Sequence, residues 1–141
     1  MICAFHITRK PRSANKQPNR GYSNAIHAAR KQYAGPLVSA PLYSRIIWFH
    51  KYNSTQGDAD NIAKRIHDAL IGTLFVDDRI IAHTLAVRVD ASQRVDVVPH
   101  PEHGAPAVEL VETLSDDTVK DILYVELGLQ TDSRIHLGPI K

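Results

Sequence analysis

No aspartate or glutamate precedes Asp58. Over that stretch stand Arg9, Lys10, Arg12, Lys16, Arg20, Arg30, Lys31, Arg45 and Lys51, nine positive charges with no negative one among them. From Asp58 onward all 15 acidic residues meet eight basic ones, a balance of minus seven that the overall formal charge of +2 conceals. A chain polarised in this way suits a polyanionic partner for its first part. The plainer alternative is that the two parts neutralise each other across the fold.

Cysteine is nearly absent as well. Cys3 stands alone, which excludes an intrachain disulfide and any cysteine-based metal site built by one chain. No apolar run approaches the roughly 20 residues of a membrane span. Ile2 to Ile7 is too short for a signal peptide and is followed, not preceded, by positive charge. A cytoplasmic protein without membrane contact is expected. The length of 141 residues suits a single domain, residues 1–141, and there is no internal repeat or low-complexity tract.

What is present reads, in order, as an opening strand over Ile2 to Thr8. A basic segment from Arg9 to Gly21 follows, interrupted by Pro11 and Pro18, and must be a loop or irregular arm. Its Arg9, Lys10, Arg12, Asn15, Lys16 and Arg20 are side chains of the kind that contact phosphate oxygens. Ser23 or Asn24 is expected to cap a helix reaching about Ala34, with Gly35-Pro36 as its stop. Arg45 to Tyr52 reads as a strand with Trp48 and Phe49 on opposite faces. Further on, Ile80 to Asp90 and Arg94 to Val98 suggest an antiparallel hairpin. His100 to Pro106 is read as a loop, and Ala107 to Leu114 fits helix or strand. Ser115-Asp116-Asp117 resembles an N-cap for a short helix over Thr118 to about Leu123, passing into a strand at Tyr124 to Leu127.

The stretch with the most chemistry is Gly57-Asp58-Ala59-Asp60-Asn61-Ile62-Ala63-Lys64, followed by Asp68 and Asp77-Asp78. Carboxylates at i and i+2 share a side of extended backbone, so Asp58 and Asp60 could share one ion. A helix then starts near Asp60 or Asn61: Ala59, Ile62, Ala63, Ile66, Ala69 and Leu70 recur as one buried stripe. On its other face Asp60, Lys64 and Asp68 stand at four-residue steps. Clustered aspartates without cysteine suit a hard cation, Mg²⁺ or Mn²⁺. Asp58, Asp60 and one of Asp77 or Asp78 would suffice, with Lys64 near enough to stabilise charge developing on a phosphodiester. The plainer reading is a helix start, one surface ion pair and a turn.

Asp58-Ala59-Asp60-Asn61, Lys64, Asp68-Ala69-Leu70 and Asp77-Asp78 before Ile80 together resemble the signature of the RusA family of Holliday junction resolvases, or crossover junction endodeoxyribonucleases. The family pattern is acidic-x-Asp-Asn, a lysine three residues on, Asp-Ala-Leu, and an Asp-Asp pair before a strand. Pro11-Arg12-Ser13-Ala14-Asn15 is also similar to the family's Pro- and Asn-containing loop after its first strand. The resemblance spans about Ile2 to Val98 and leaves residues 99–141 as a C-terminal extension without an assigned role. It implies an α/β (α+β) fold with a small mixed β-sheet flanked by helices, a homodimer, Mg²⁺- or Mn²⁺-dependent phosphodiester hydrolysis, and four-way DNA junctions of recombination and repair as substrate. Asp58, Asp60 and Asp78 match the family's metal-binding catalytic carboxylates and Lys64 its essential lysine. Asp77 is the adjacent acid, and Arg88 falls where the family often carries a basic residue, counted with the DNA-binding set. The alternatives are a non-catalytic junction-binding or regulatory protein that keeps the fold, and a phosphohydrolase acting on small nucleotides. The acid-free first half argues against the last, since a small substrate needs no such extended positive surface.

Overall fold

The computed structural model describes residues 1–8, 22–52, 59–101, 104–132, 134 and 137–139. The basic arm expected at residues 9–21 and the carboxylate of Asp58 lie outside the described residues. In chain order the elements are β1 (Cys3–Ile7), α1 (Ser23–Gln32), β2 (Leu42–His50), α2 (Ala59–Leu70), β3 (Ile81–Asp90), α3 (Gly104–Leu114) and β4 (Asp121–Leu129), with a 3₁₀ turn at Asp78–Ile80. The expected mixed α+β architecture is present as a four-stranded open sheet and three helices, ordered β1-β4-β2-β3.

Alternation along the strands decides which residues meet which helices. Leu42, Ile46 and Trp48 of β2, Cys3, Phe5 and Ile7 of β1, and Leu123, Val125 and Leu127 of β4 share one buried cluster with Ala25 and Ala29 of α1 and with Ile62, Ile66 and Leu70 of α2. On the other face Ala4, Phe49, Ile122 and Tyr124 gather under Leu110 of α3. Trp48 and Phe49 thus do fall on opposite faces. Glu126, buried on the second face, accepts hydrogen bonds from the hydroxyls of Tyr43 (2.8 Å) and Tyr124 (2.6 Å). The Tyr43 ring lies over Gly128, where any Cβ would collide with it.

β4 is antiparallel to both β1 and β2, whereas β2 and β3 are parallel. β1, β2 and β3 therefore run one way, and α2 is the crossover that a parallel β2–β3 pair requires. This overturns the hairpin expected between Ile80–Asp90 and Arg94–Val98. Residues 94–98 form no strand; Val95 and Val97 instead pack on the second face, so their alternation records burial and not ladder pairing.

Four further expectations are corrected. β2 begins at Leu42, three residues before Arg45. α3 begins at Gly104 inside the expected loop, and Pro106 is tolerated there because the first helical turn has no partner for its missing N–H. No helix covers Thr118 to Leu123. The Asp116 carboxylate accepts from the Thr118 N–H (2.9 Å) and hydroxyl (2.7 Å), a side-chain-closed turn that competes with helix, and β4 starts at Asp121. At α1 no side chain caps the N-terminus.

Candidate active site

α2 forms where its sequence period predicts. Ile62, Ala63, Ile66, Ala69 and Leu70 are buried, and Asp60 and Lys64 are exposed. Because the helix starts at Ala59, Asp60 stands in the first turn, where the unpaired N–H groups favour negative charge. Lys64 follows one turn along, and Asp68 one turn after that.

Beyond Leu70 the chain reverses. Gly72 adopts a φ of +82°, a left-handed conformation that costs glycine little, and its N–H donates to the Phe75 carbonyl at 2.7 Å. Leu74 and Phe75 are buried, and the Leu74 carbonyl accepts from the Val38 N–H at 2.7 Å. This anchored return delivers Asp77 and Asp78 to the start of β3.

The two neighbouring aspartates have different environments. Asp77 accepts from the Arg79 backbone N–H (2.9 Å) and from its Nε (2.9 Å). Those bonds hold its carboxyl down at about 2. Asp78 instead acts electrostatically on His67 of α2, as do Asp68 and Lys64. The chain reversal therefore brings Asp78 within electrostatic range of the last turn of the helix whose first turn carries Asp60.

His67 itself was not singled out by the sequence, nor was its partner. It is buried, and its Nε2 is hydrogen-bonded to the Ser44 hydroxyl of β2 at 2.6 Å. Burial pushes its pKa below the ordinary value and Lys64 pushes the same way, against the opposing pull of Asp78 and Asp68. The unfolded imidazole titrates near 6.5, so below that value and above the folded one the unfolded chain binds more protons. Stability is then lost as pH falls through that window. The thermal midpoint is expected to drop as pH falls below about 6.5, with a shallower slope in His67→Gln; His6, also lowered by burial, leaves a residual slope. A His67→Gln midpoint that tracks the wild type across that range would exclude the imidazole as the group responsible.

Arg88 is placed elsewhere. Its guanidinium lies 5.2 Å from the centre of the Trp48 ring, and its Nε–H donates to His50 Nε2 at 3.3 Å. It belongs to a polar and aromatic group where β2 ends, on the side from which the chain passes to Asp60. Arg9, Lys10, Arg12, Asn15, Lys16 and Arg20 lie outside the described residues, as does Asp58. Among the described residues no three His, Cys, Asp or Glu side chains are grouped so as to hold a metal ion. Asp60 and Asp78 are thus two of the three expected carboxylates, and both offer the oxygen donors that hard cations prefer.

Among the described residues no helix is long and apolar enough to cross a membrane. The protein-family model described as Endodeoxyribonuclease RusA matches residues 7–98. No curated protein matches the chain.

Proposed function

The chain belongs to the RusA endodeoxyribonuclease family, whose model matches more than half of it, and on that premise we propose that it is a cation-dependent, homodimeric nuclease that cuts four-way DNA junctions. The observation that carries this reading is the family match over residues 7–98, a span that includes Asp58, Asp60, Lys64 and Asp78.

Asp58, Asp60 and Asp78 would hold Mg²⁺ or Mn²⁺. A bound cation of this kind supplies an activated water and neutralises charge on the phosphodiester. The residues themselves do the rest. Asp60, exposed at the helix start, and Asp78, half-exposed before β3, would each offer carboxylate oxygens to the cation. Lys64 brings a fixed positive charge one helical turn from Asp60 and would oppose the negative charge that develops as the phosphodiester is attacked. Asp77 stays engaged with Arg79 and closes the turn. The arginines and lysines of residues 9–20 would neutralise backbone phosphates, a sequence-independent and salt-sensitive source of affinity. A junction with two-fold symmetry needs two cuts, which a two-fold dimer offers by symmetry.

The test is cleavage of a labelled four-way junction beside a linear duplex of the same sequence, in Mg²⁺, Mn²⁺ or EDTA. Paired symmetrical nicks are expected on the junction alone and only with a cation. Nicking that persists in EDTA, or proceeds equally on the duplex, contradicts the proposal. Tight junction binding without any cleavage selects the non-catalytic alternative.

A further inference from the structure

β2 leaves the sheet at His50, and ten residues later the chain reaches Asp60. The exit is fixed by a side chain from another strand. Asp121, the first residue of β4, receives two hydrogen bonds on one oxygen: Trp48 Nε1–H donates to Oδ1 at 3.0 Å, and the Tyr52 hydroxyl donates to the same Oδ1 at 2.7 Å. The Trp48 indole is buried under the helices, so the first bond ties Asp121 to the core. The second ties it to a residue beyond the end of the strand.

A second chain of bonds supports the same exit. Arg88 Nε carries a hydrogen and can only donate, so His50 Nε2 must accept its bond. The proton of a neutral imidazole is then on Nδ1, which donates to the Tyr52 carbonyl at 2.8 Å. Tyr52 is therefore held at both ends, its hydroxyl by Asp121 and its carbonyl by His50. At the start of the exit the Lys51 N–H donates to the Lys120 carbonyl at 3.0 Å, and Lys51 Nζ to the Asp116 carbonyl at 2.8 Å. Every one of these anchors except His50 and Arg88 comes from residues 116–121, beyond the part of the chain that the family model matches.

We propose that Asp121 is a positioning residue for the nuclease centre: by fixing Trp48 and Tyr52 it holds the end of β2 from which the chain goes on to the acidic start of α2. This rests on the proposed nuclease function. In this role Asp121 acts through its bonds to Trp48 and Tyr52 and not by contact with substrate or cation. Its effect is transmitted through the Tyr52 anchor, and geometry at a metal-assisted centre is unforgiving of small displacements. Supporting residues of this kind typically change activity or metal affinity by about 10- to 100-fold when removed.

The experiment compares wild type, Asp121→Ala, Asp121→Asn and Tyr52→Phe in three measurements. The first is single-turnover cleavage of the four-way junction, with the rate constant separated from junction affinity. The second is Mn²⁺ affinity by titration calorimetry. The third is emission of Trp48, the single tryptophan of the chain, which reports whether the indole bond is kept. Asp121→Ala is expected to lower the cleavage rate and Mn²⁺ affinity about 10-fold or more, with junction affinity unchanged and Trp48 emission shifted. Asp121→Asn keeps an oxygen that accepts both bonds and is expected to recover most of the loss. Tyr52→Phe removes one hydroxyl without opening the core, so it serves where Asp121→Ala does not fold, and it is expected to lower rate and Mn²⁺ affinity while leaving Trp48 emission in place. A folded Asp121→Ala, or a Tyr52→Phe, with wild-type rate and Mn²⁺ affinity overturns the positioning role while the nuclease reading stands. Equal losses in Asp121→Asn and Asp121→Ala overturn it too, since charge and not anchoring would then be responsible. A wild-type chain that neither binds Mn²⁺ nor cleaves overturns the nuclease reading and this role with it.

Discussion

A chain ending at Pro99 is expected to have no cooperative unfolding transition, even though it contains the whole segment that the family model matches. The reason is the strand order. β4 lies between β1 and β2, and among the described residues it is the only strand that pairs with β1. Its Ile122, Leu123, Val125 and Leu127 are each 1% exposed or less. Fully burying aliphatic side chains of this size contributes about 1.5–3 kcal/mol each, on the order of 10 kcal/mol for the group. A domain's entire stability is about 5–15 kcal/mol. Truncation also strips β1 of its ladder and leaves the edge of β2 bare. Far-UV circular dichroism with heating decides the matter: a sigmoidal melt of residues 1–99 near the full-length midpoint would show that the matched segment folds alone. A milder version is Leu123→Ala, expected to cost about 2–5 kcal/mol as a large-to-small change in a packed core.

That result separates what could be read from the residues from what could not. α2 was visible because its period, its acidic start and its apolar stripe all point the same way, and the helix is amphipathic enough to need no tertiary override. Trp48 and Phe49 on opposite faces followed from strand alternation alone. β4 was visible only in part. Tyr124 to Leu127 read as strand, but its buried residues alternate less than usual because a central strand is covered on both faces. Its centrality is a property of topology that no local window contains. Residues 94–98 failed for the converse reason: Val95 and Val97 alternate because they rest on a sheet face, and period does not distinguish that from pairing.

The site divides in the same way. Asp60, Lys64 and Asp78 were singled out by spacing and by the family resemblance, yet the spacing says nothing of how Asp78 returns to α2. That depends on the left-handed Gly72 and on the Val38–Leu74 bond. His67 and Ser44 are 23 residues apart and meet only across the α2–β2 packing, and a histidine on the flank of an apolar stripe gives no sign of a hydroxyl opposite it. Asp121 is 73 residues from Trp48 and sits in a segment that carries no nuclease signature. Its role is a matter of register: it starts β4 opposite His50, which puts its carboxylate within reach of the residues flanking that position.

Asp60→Asn and Asp78→Asn are each expected to lower junction cleavage by at least about three orders of magnitude, about 4 kcal/mol of transition-state stabilisation, while junction binding persists. The isosteric change keeps shape and removes one negative charge, so a site that needs carboxylate oxygens for a hard cation loses its donor. Folding is expected to survive in both. Asp60 is exposed in the first turn of α2, where a lost interaction with the helix N-terminus costs about 0.3–1 kcal/mol, and Asp78 is half-exposed at the head of a 3₁₀ turn. Binding is expected to hold or tighten slightly, since the positive charge assigned to DNA lies, Arg88 apart, before Asp58 and one repulsive charge has gone; it should also weaken steeply with added salt in wild type and variants alike. Asp77→Asn is the internal contrast. Its carboxylate is occupied by Arg79, so the variant should keep most of the cleavage rate. If Asp77→Asn were as inactive as Asp78→Asn, the pair would act as a unit and the division drawn between them would fall. If Asp60→Asn or Asp78→Asn cut at the wild-type rate in Mg²⁺, the nuclease centre would have to lie elsewhere in the chain.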